Sequence, residues 1–331
     1  MHESPRVDVV ILSWNRIEDT LAALASARDQ QGVSHHIYVV DQGSEPEQVA
    51  QLEQFLQPLP NATLLKLERN VGVPAGRNLG TSLGTAPVIV ALDSDAVFAD
   101  SEVLLRAAER LAAQPELCAI GFAITNFFSG EPDWGSWDYP RDFDPAREFR
   151  TTRFVGAGHA IRRSSFEAVG GYDARLIFAG EELDLCYRML NLDQRIVYCP
   201  TLAVLHKVTH DHRVFWERGR YLQTVRNALY SQFKFGVSWP RLAVGAAAFV
   251  LRGMRNRITW QAVRGVLASI VMCWTFARSS ENKTAYQLTP ETWRYIRECE
   301  PTRQQSWLVK LRRQLVPLPV QSRDPRSSAK A

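Results

Sequence analysis

Short apolar runs alternate with amphipathic stretches along the first 115 residues. Residues 7–13 (VDVVILS) are apolar on both faces, as in a strand buried between two layers. The stretch after them places Leu21, Leu24 and Ala25 on one helical face. A second run, 37–41 (IYVVD), passes through QGSEPEQ into a helix carrying Val49, Leu52 and Leu56. A third, 63–67 (TLLKL), precedes VPAGRNLGTSLG, where a proline suits a helix N-terminus. A fourth, 87–92, runs into Asp-Ser-Asp. Strands alternating with helices predict an α/β fold, a doubly wound and mostly parallel sheet. Ligands of such sheets lie at the carboxyl ends of the strands. Asn15, Asp41, Asn70 and Asp93 all fall near predicted strand ends, so they are expected to converge on one crevice.

The pattern changes after residue 115. A strand over 117–125 precedes a long irregular segment, NFFSGEPDWGSWDYPRDFDPAREF, whose length marks it as functional or mobile. A strand at 153–161 and a short helix lead to GGYDARLIFAGEELDLCYRML. Residues 195–206 (RIVYCPTLAVLH) read as paired strand segments ending on His206, and helices fill most of the remainder. The expected organisation is an α/β domain over 1–206, divided near 115. A basic helical region over 207–316 and a disordered tail over 317–331 follow.

Charge changes this picture. The net charge of +4 hides an acidic body and a basic end. From Lys207 onward there are 22 Lys and Arg against 7 Asp and Glu, a balance of +15; the preceding residues balance at −11. Such a split points to an anionic partner surface. No nucleic-acid-binding module is recognisable, which disfavours nucleic acid. The apolar runs LAVGAAAFVL (242–251) and GVLASIVMCWTFA (265–277) are bounded by Arg252, Arg255, Arg257, Arg264 and Arg278. Each is shorter than the roughly 20 residues a bilayer span needs. With Trp239, Trp260 and Trp274 beside them, they fit helices lying in the headgroup layer, or a basic helical subdomain packed on the body. Five scattered cysteines (118, 186, 199, 273, 299) without Cys-x-x-Cys spacing argue against a disulfide framework or zinc site. MHESPRVDVV enters a strand without a leader pattern, so a cytoplasmic protein, peripheral on the inner face of the cell membrane, is expected.

Asp93 and Asp95 would share a side if their strand continued. Two like charges that close repel unless a cation sits between them, and hard oxygen ligands suit Mg²⁺ or Mn²⁺. The competing reading is a polar loop capping the helix near Ser101. Asp41 falls at the start of a helix, with Ser44 the better cap. Arg77 has a fork suited to a diphosphate or to orienting Asp93, against a plain surface salt bridge. Asp184 and Arg188, at i and i+4, form a structural pair.

In order along the chain, VVILSWNR, VVDQGS, ERNVGVPAGRNLG, ALDSDAV, GAGHAIRRSSFEAVGGYD, GEELDLCYR and LAVLH resemble the inverting family 2 glycosyltransferases of the GT-A fold. The overall character is similar to the rhamnosyltransferase-like enzymes of bacterial polysaccharide and O-antigen assembly. The likeness covers about residues 7–206 and implies that 1–206 is the catalytic domain, with 1–115 the nucleotide-sugar-binding half and 116–206 the acceptor half. It implies a UDP- or dTDP-sugar donor, a saccharide acceptor that is lipid-linked, and Mg²⁺ or Mn²⁺ on the diphosphate. Asp95 is implied as the main metal ligand, with Asp93 at ribose or metal-bound water and His206 completing the set unless it is merely structural. Asp41 is implied at uracil or thymine, with Ser13 and Asn15 lining the nucleotide pocket and Arg16 solvated. Relatives carry Glu-Asp where this chain has Glu181-Glu182, which aligns Glu182 with the catalytic base and leaves open which of the two reaches the acceptor. Gly156 and Gly158 would let the backbone pass close to the donor sugar, and Trp134, Trp137 and Tyr139 would offer an acceptor platform or ordinary packing.

Three other classes compete. A dinucleotide oxidoreductase is disfavoured because the first strand ends in SWNR, without Gly-x-Gly-x-x-Gly. A nucleic-acid binder lacks its module. A glycosyltransferase-like binding protein without catalysis is kept open by Glu182.

Overall fold

The computed structural model describes residues 4–140, 142–207, 218–280 and 283–300. His210 and His212, two further histidines beyond His206 that are weaker candidates for the same role, lie outside the described residues, as does the expected tail over 317–331. Close packing divides the chain into two units. One holds the described residues up to Lys207 together with 283–300; the other holds 218–280. The expected boundary at 206 thus differs in one respect, because residues 283–300 return to the first unit.

The first unit is a mixed α/β layer structure. β1 (Arg6–Ser13), β2 (Ser34–Asp41), β3 (Ala62–Lys66) and β4 (Val88–Leu92) pair in parallel in the order β3-β2-β1-β4. The sheet continues through β8 (Gly158–Arg162), β6 (Leu117–Asn126), β9 (Arg195–His206) and β5 (Ala96–Phe98). β6 and β9 are parallel to each other, whereas β8 runs antiparallel to both β4 and β6. β7 (Phe149–Thr151) pairs with β9.

Alternation along β1 shows why its pattern is apolar throughout. Val7, Val9 and Ile11 join the core formed with α1 (Ile17–Arg28), α2 (Pro46–Leu56) and α4 (Val103–Ala113). Val10 and Leu12 face the other way, onto α3 (Val73–Ser82). There Gly80 sits so close to the Val10 side chain that an added Cβ would come within 2.6 Å of it. Both faces of the strand are therefore dry.

Two expected strands differ. The strand predicted over 153–161 starts only at Gly158, because the carbonyls of Gly156 and Ala157 turn to accept from Arg77 and from the Asp93 N–H. The paired segments over 195–206 are one strand, β9, whose register shifts between Cys199 and Ala203. Pro200 falls inside that shift and has no N–H for the ladder. α5 (Arg163–Ala168), α6 (Glu181–Leu190) and α10 (Pro290–Cys299) complete the unit. Tyr295 of α10 donates its hydroxyl to the carbonyls of Thr151 and Ile196, which anchors the returning segment beside β7 and β9.

The second unit consists of α7 (Arg218–Lys234), α8 (Trp239–Arg255) and α9 (Thr259–Arg278) around Tyr221, Val225, Leu229, Leu242, Ile258 and Ala262. α9 extends beyond its apolar run to twenty residues, and among the described residues it alone is long and apolar enough to cross a membrane. All five cysteines are buried and unbridged, as their spacing predicts.

Candidate active site

β4 ends at Leu92 and β5 begins at Ala96, with the Asp-Ser-Asp turn between them. The strand does not continue through the turn, yet Asp93 and Asp95 still meet, for a tertiary reason. Antiparallel pairing of β5 with β9 sets Ala96 opposite His206, and the Lys207 N–H donates to the Asp95 carbonyl at 2.7 Å. One ligand atom each from Asp93, Asp95 and His206 then lies within 4.8 Å of the others.

This donor set fits a divalent cation. Nε2 of His206 is 3.4 Å from Oδ1 of Asp95, and Nδ1 is 3.0 Å from Oδ2 of Asp133. A carboxylate behind the ring fixes the tautomer and leaves Nε2 as the ligand atom, as in many metal sites. Burial pushes the His206 imidazole down, but the flanking Asp133 and Asp95 carboxylates outweigh it and hold it up at about 9. Burial raises the Asp95 carboxyl, but His206 and Arg16 overcome it and bring it to about 2. Arg16 and the proton on His206 thus supply the positive charge that a metal ion would bring to these ligands.

Two participants escaped the sequence. Arg16, expected in solvent, places Nη1 2.6 Å from Oδ2 of Asp95 and Nη2 2.8 Å from Asp19. Asp133 lies in the long segment 126–149, where nothing distinguishes it from its neighbouring acids. The structure buries it: its N–H donates to the Ile124 carbonyl, and the Ser136 hydroxyl donates to its Oδ2 at 2.7 Å.

Arg77 is the second organising residue. It is buried in α3, which excludes the surface-salt-bridge reading. Nη2 reaches Oδ1 of Asp93 and the Gly156 carbonyl, both at 2.8 Å, while Nη1 reaches Oε1 of Glu182 at 3.2 Å. Burial opposes its charge, but Tyr172 and the carboxylates of Asp93, Glu182 and Glu181 more than restore it. Gly156 makes room for this contact; a Cβ there would meet Glu182 Oε1 at 2.5 Å.

Glu181 and Glu182 open α6, after Gly180 at a φ of 92°. They differ in environment. Glu182 faces Arg77, whereas Glu181 is buried with Oε2 unpartnered. Burial, reinforced by the neighbouring Glu182 charge, pushes Glu181 up to about 8. Burial also raises Glu182, against the pull of Arg77. The helix N-terminus favours both anions, yet desolvation wins. Asp184 and Arg188 form the buried pair their spacing predicts.

The remaining predicted residues divide. Asp41 is buried; Oδ2 accepts from the N–H groups of Gly43 and Ser44, and Oδ1 has no partner. Ser44 does not cap α2; its hydroxyl accepts from the Asn15 N–H. Asn15, at a φ of 53°, accepts from the Glu45 N–H just before α2, so its amide oxygen holds two loops together. Ser13 is buried with its hydroxyl 3.5 Å from that of Thr20, inside the fold. Asn70 is exposed and accepts from the Gly72 N–H. Gly158 belongs to the core, since a Cβ there would strike Val204 and Phe122; of the two glycines only Gly156 is at the site. His159 points inward, stacked on Phe154 and bonded to the Tyr172 hydroxyl. Trp137 and Tyr139 pack with Phe149 and Tyr198, the structural alternative. Trp134 is 56% exposed and follows Asp133 directly, so it alone of these aromatics offers an open face near the cluster.

A mostly parallel sheet with an acidic, histidine-bearing cluster beyond β4 and two carboxylates opening α6 is the architecture of the GT-A glycosyltransferases. Residues 8–170, about half of the chain, match the model of Glycosyl transferase family 2, and the chain is a glycosyltransferase. An uncharacterized Bacillus subtilis glycosyltransferase, YwdF, is 25% identical over 177 residues, 51% of this chain and 62% of that protein. A Haloferax volcanii glucosyl-dolichyl phosphate glucuronosyltransferase is 24% identical over 253 residues, 69% of this chain and 79% of the relative. Among solved structures, a Pyrobaculum calidifontis mannosyltransferase in complex with GDP-Man and Mn²⁺ superposes with a TM-score of 0.57 at 18% identity, over 95% of this chain and 86% of that one. That likeness is one of fold.

Proposed function

We propose that the chain is an inverting, metal-dependent enzyme that moves a sugar from a UDP- or dTDP-sugar to a saccharide acceptor, lipid-linked, in bacterial envelope polysaccharide assembly. The observation that carries this reading is Arg77 joined to both Asp93 and Glu182. One buried guanidinium ties the pole where a diphosphate leaves to a carboxylate that takes a proton, the two ends of a single displacement. Asp93, Asp95 and His206 would hold Mn²⁺ or Mg²⁺, with the imidazole favouring Mn²⁺. Bound there, the metal supplies Lewis-acid stabilisation of the departing diphosphate.

Glu182 takes the acceptor hydroxyl proton as the oxygen attacks. Arg77 orients Glu182 and opposes the burial that raises its carboxyl. The longer side chain at the family's Asp position is accommodated because residue 156 has no Cβ, which speaks against the catalytically inactive alternative. Asp41 supports the choice of base. With Oδ2 engaged by two backbone donors, one buried oxygen remains, and it suits the single imide N–H of uracil or thymine better than the paired donors of guanine. The Haloferax relative's dolichyl phosphate-linked acceptor supports a lipid-linked one here. Five unbridged cysteines support a reducing, cytoplasmic setting.

Thermal-shift titration with Mn²⁺ and UDP, dTDP or GDP tests the donor, because ligands of the native state raise Tm. UDP or dTDP is expected to stabilise in a Mn²⁺-dependent way and GDP to do so weakly. NMR of the first-formed product tests inversion. Absence of any nucleoside-diphosphate shift, or retention of anomeric configuration, defeats the proposal.

A further inference from the structure

The second unit carries a surface made of residues outside the site described above. On α9, Ala262, Gly265, Ser269, Cys273 and Phe276 are buried, and Gly265 lies against Val225 and the Leu222 carbonyl of α7. The opposite side presents Trp260, Leu267, Ile270, Val271 and Trp274, each 53–65% exposed. α8 has the same construction: Leu242, Ala248 and Gly253 face inward, while Trp239, Val244, Leu251 and Met254 are open. Among the described residues, half of the large apolar side chains left exposed belong to these two helices. A face of that kind marks an interaction site.

Its charge decides the partner. Residues 218–280 contain ten Lys and Arg and no Asp or Glu. Arg264 and Arg278 stand on the exposed side of α9, and the Arg278 guanidinium lies 3.9 Å from the centroid of the Trp274 ring. Arg241 and Arg255 are exposed on α8. A second copy of the chain would bring the same positive face against itself. Anionic lipid headgroups neutralise it, while tryptophans and aliphatic side chains enter the acyl boundary.

We propose that the outer face of α8 and α9 docks on an anionic lipid bilayer, with both helices lying along its surface. α9 is long enough to span. A span would carry Arg264 into the hydrocarbon and separate Gly265 and Ala262 from their packing on α7 and α8, so the surface orientation is the one the packing permits. This proposal stands apart from the donor and mechanism proposed above, because it concerns other residues and its test involves no sugar.

The test is co-sedimentation of the full chain with phosphatidylcholine vesicles, with and without phosphatidylglycerol. Wild-type protein is expected to pellet with the anionic vesicles at low salt and to be released at high salt. Trp260→Ala with Trp274→Ala is expected to weaken binding by roughly tenfold or more, and Arg264→Glu with Arg278→Glu to remove the preference for phosphatidylglycerol. These side chains are exposed, and circular dichroism checks that the variants stay folded. Failure of the wild type to bind anionic vesicles overturns the proposal. So does a dimer by sedimentation equilibrium that the tryptophan variants abolish, because the face then serves a second copy. Membrane protein released only by detergent overturns the surface geometry in favour of a span.

Discussion

His206 Nδ1 lies 3.0 Å from Oδ2 of the buried Asp133, and His206 Nε2 faces Asp95 Oδ1 at 3.4 Å. The loop that bears Asp133 therefore fixes which imidazole nitrogen faces the acidic cluster. Loss of such a supporting carboxylate typically weakens metal affinity by about 10–100-fold. Asp133→Asn is expected to lower Mn²⁺ affinity by that factor in calorimetric titration. Unchanged affinity would show that His206 is not a ligand.

Arg16 competes with a metal ion for the same carboxylate, with Nη1 2.6 Å from Asp95 Oδ2. Arg16→Gln removes the competitor without changing a ligand. Mn²⁺ affinity in the absence of nucleotide is expected to rise by several-fold, since an opposite charge this close shifts carboxylate equilibria by about a unit or more. Lower affinity would mean that Arg16 supports the site instead.

Gly156→Ala puts a methyl group 2.5 Å from Glu182 Oε1 unless something shifts. The variant is expected to keep its fold and its metal affinity but to lose turnover by roughly tenfold or more through misplacement of the carboxylate, as small displacements at catalytic groups do. Wild-type turnover in Gly156→Ala would separate Glu182 from the chemistry.

Glu182→Gln keeps shape and cannot accept a proton. General-base catalysis contributes about 10²–10⁴-fold, and turnover is expected to fall by that much. The acidic limb of the wild-type pH–rate profile is expected above the ordinary carboxylate range, because burial raises Glu182. If Glu181→Gln is the inactive variant and Glu182→Gln is not, Glu181 is the base.

Glu181 also leaves a signature in stability. Its folded pKa of about 8 exceeds the ordinary 4.5, so the folded state holds its proton more tightly than the unfolded chain. Its contribution is fully present below pH 4.5 and is lost as the pH rises through about 8. Glu181→Gln is expected to gain stability relative to wild type between those limits, measured by denaturant unfolding in chelator. A pH-independent difference would place an ordinary carboxyl there.

Local pattern alone determined much of this protein. Apolar runs on both faces of β1, β2 and β4 could only be strands between layers, and each was legible because period and burial are written in adjacent residues. Asp93 and Asp95 were legible as a candidate acidic cluster because they are near neighbours in sequence, and Asp184 with Arg188 as a pair because one helical repeat brings them together. Tertiary structure decided what depends on contacts between distant segments. Arg16 reaches Asp95 across 79 positions, and Arg77 reaches Glu182 across 105. Asp133 finds His206 only because β9 ends beside the loop that leaves β6. Ser13, Asn15 and Gly158 had the right residue types at the right strand ends, but packing turned them to the loops and the core. A side chain's type fixes what it can bond; which partner comes within about 3 Å is set by the register of strands that the sequence brings together only when the whole sheet is assembled.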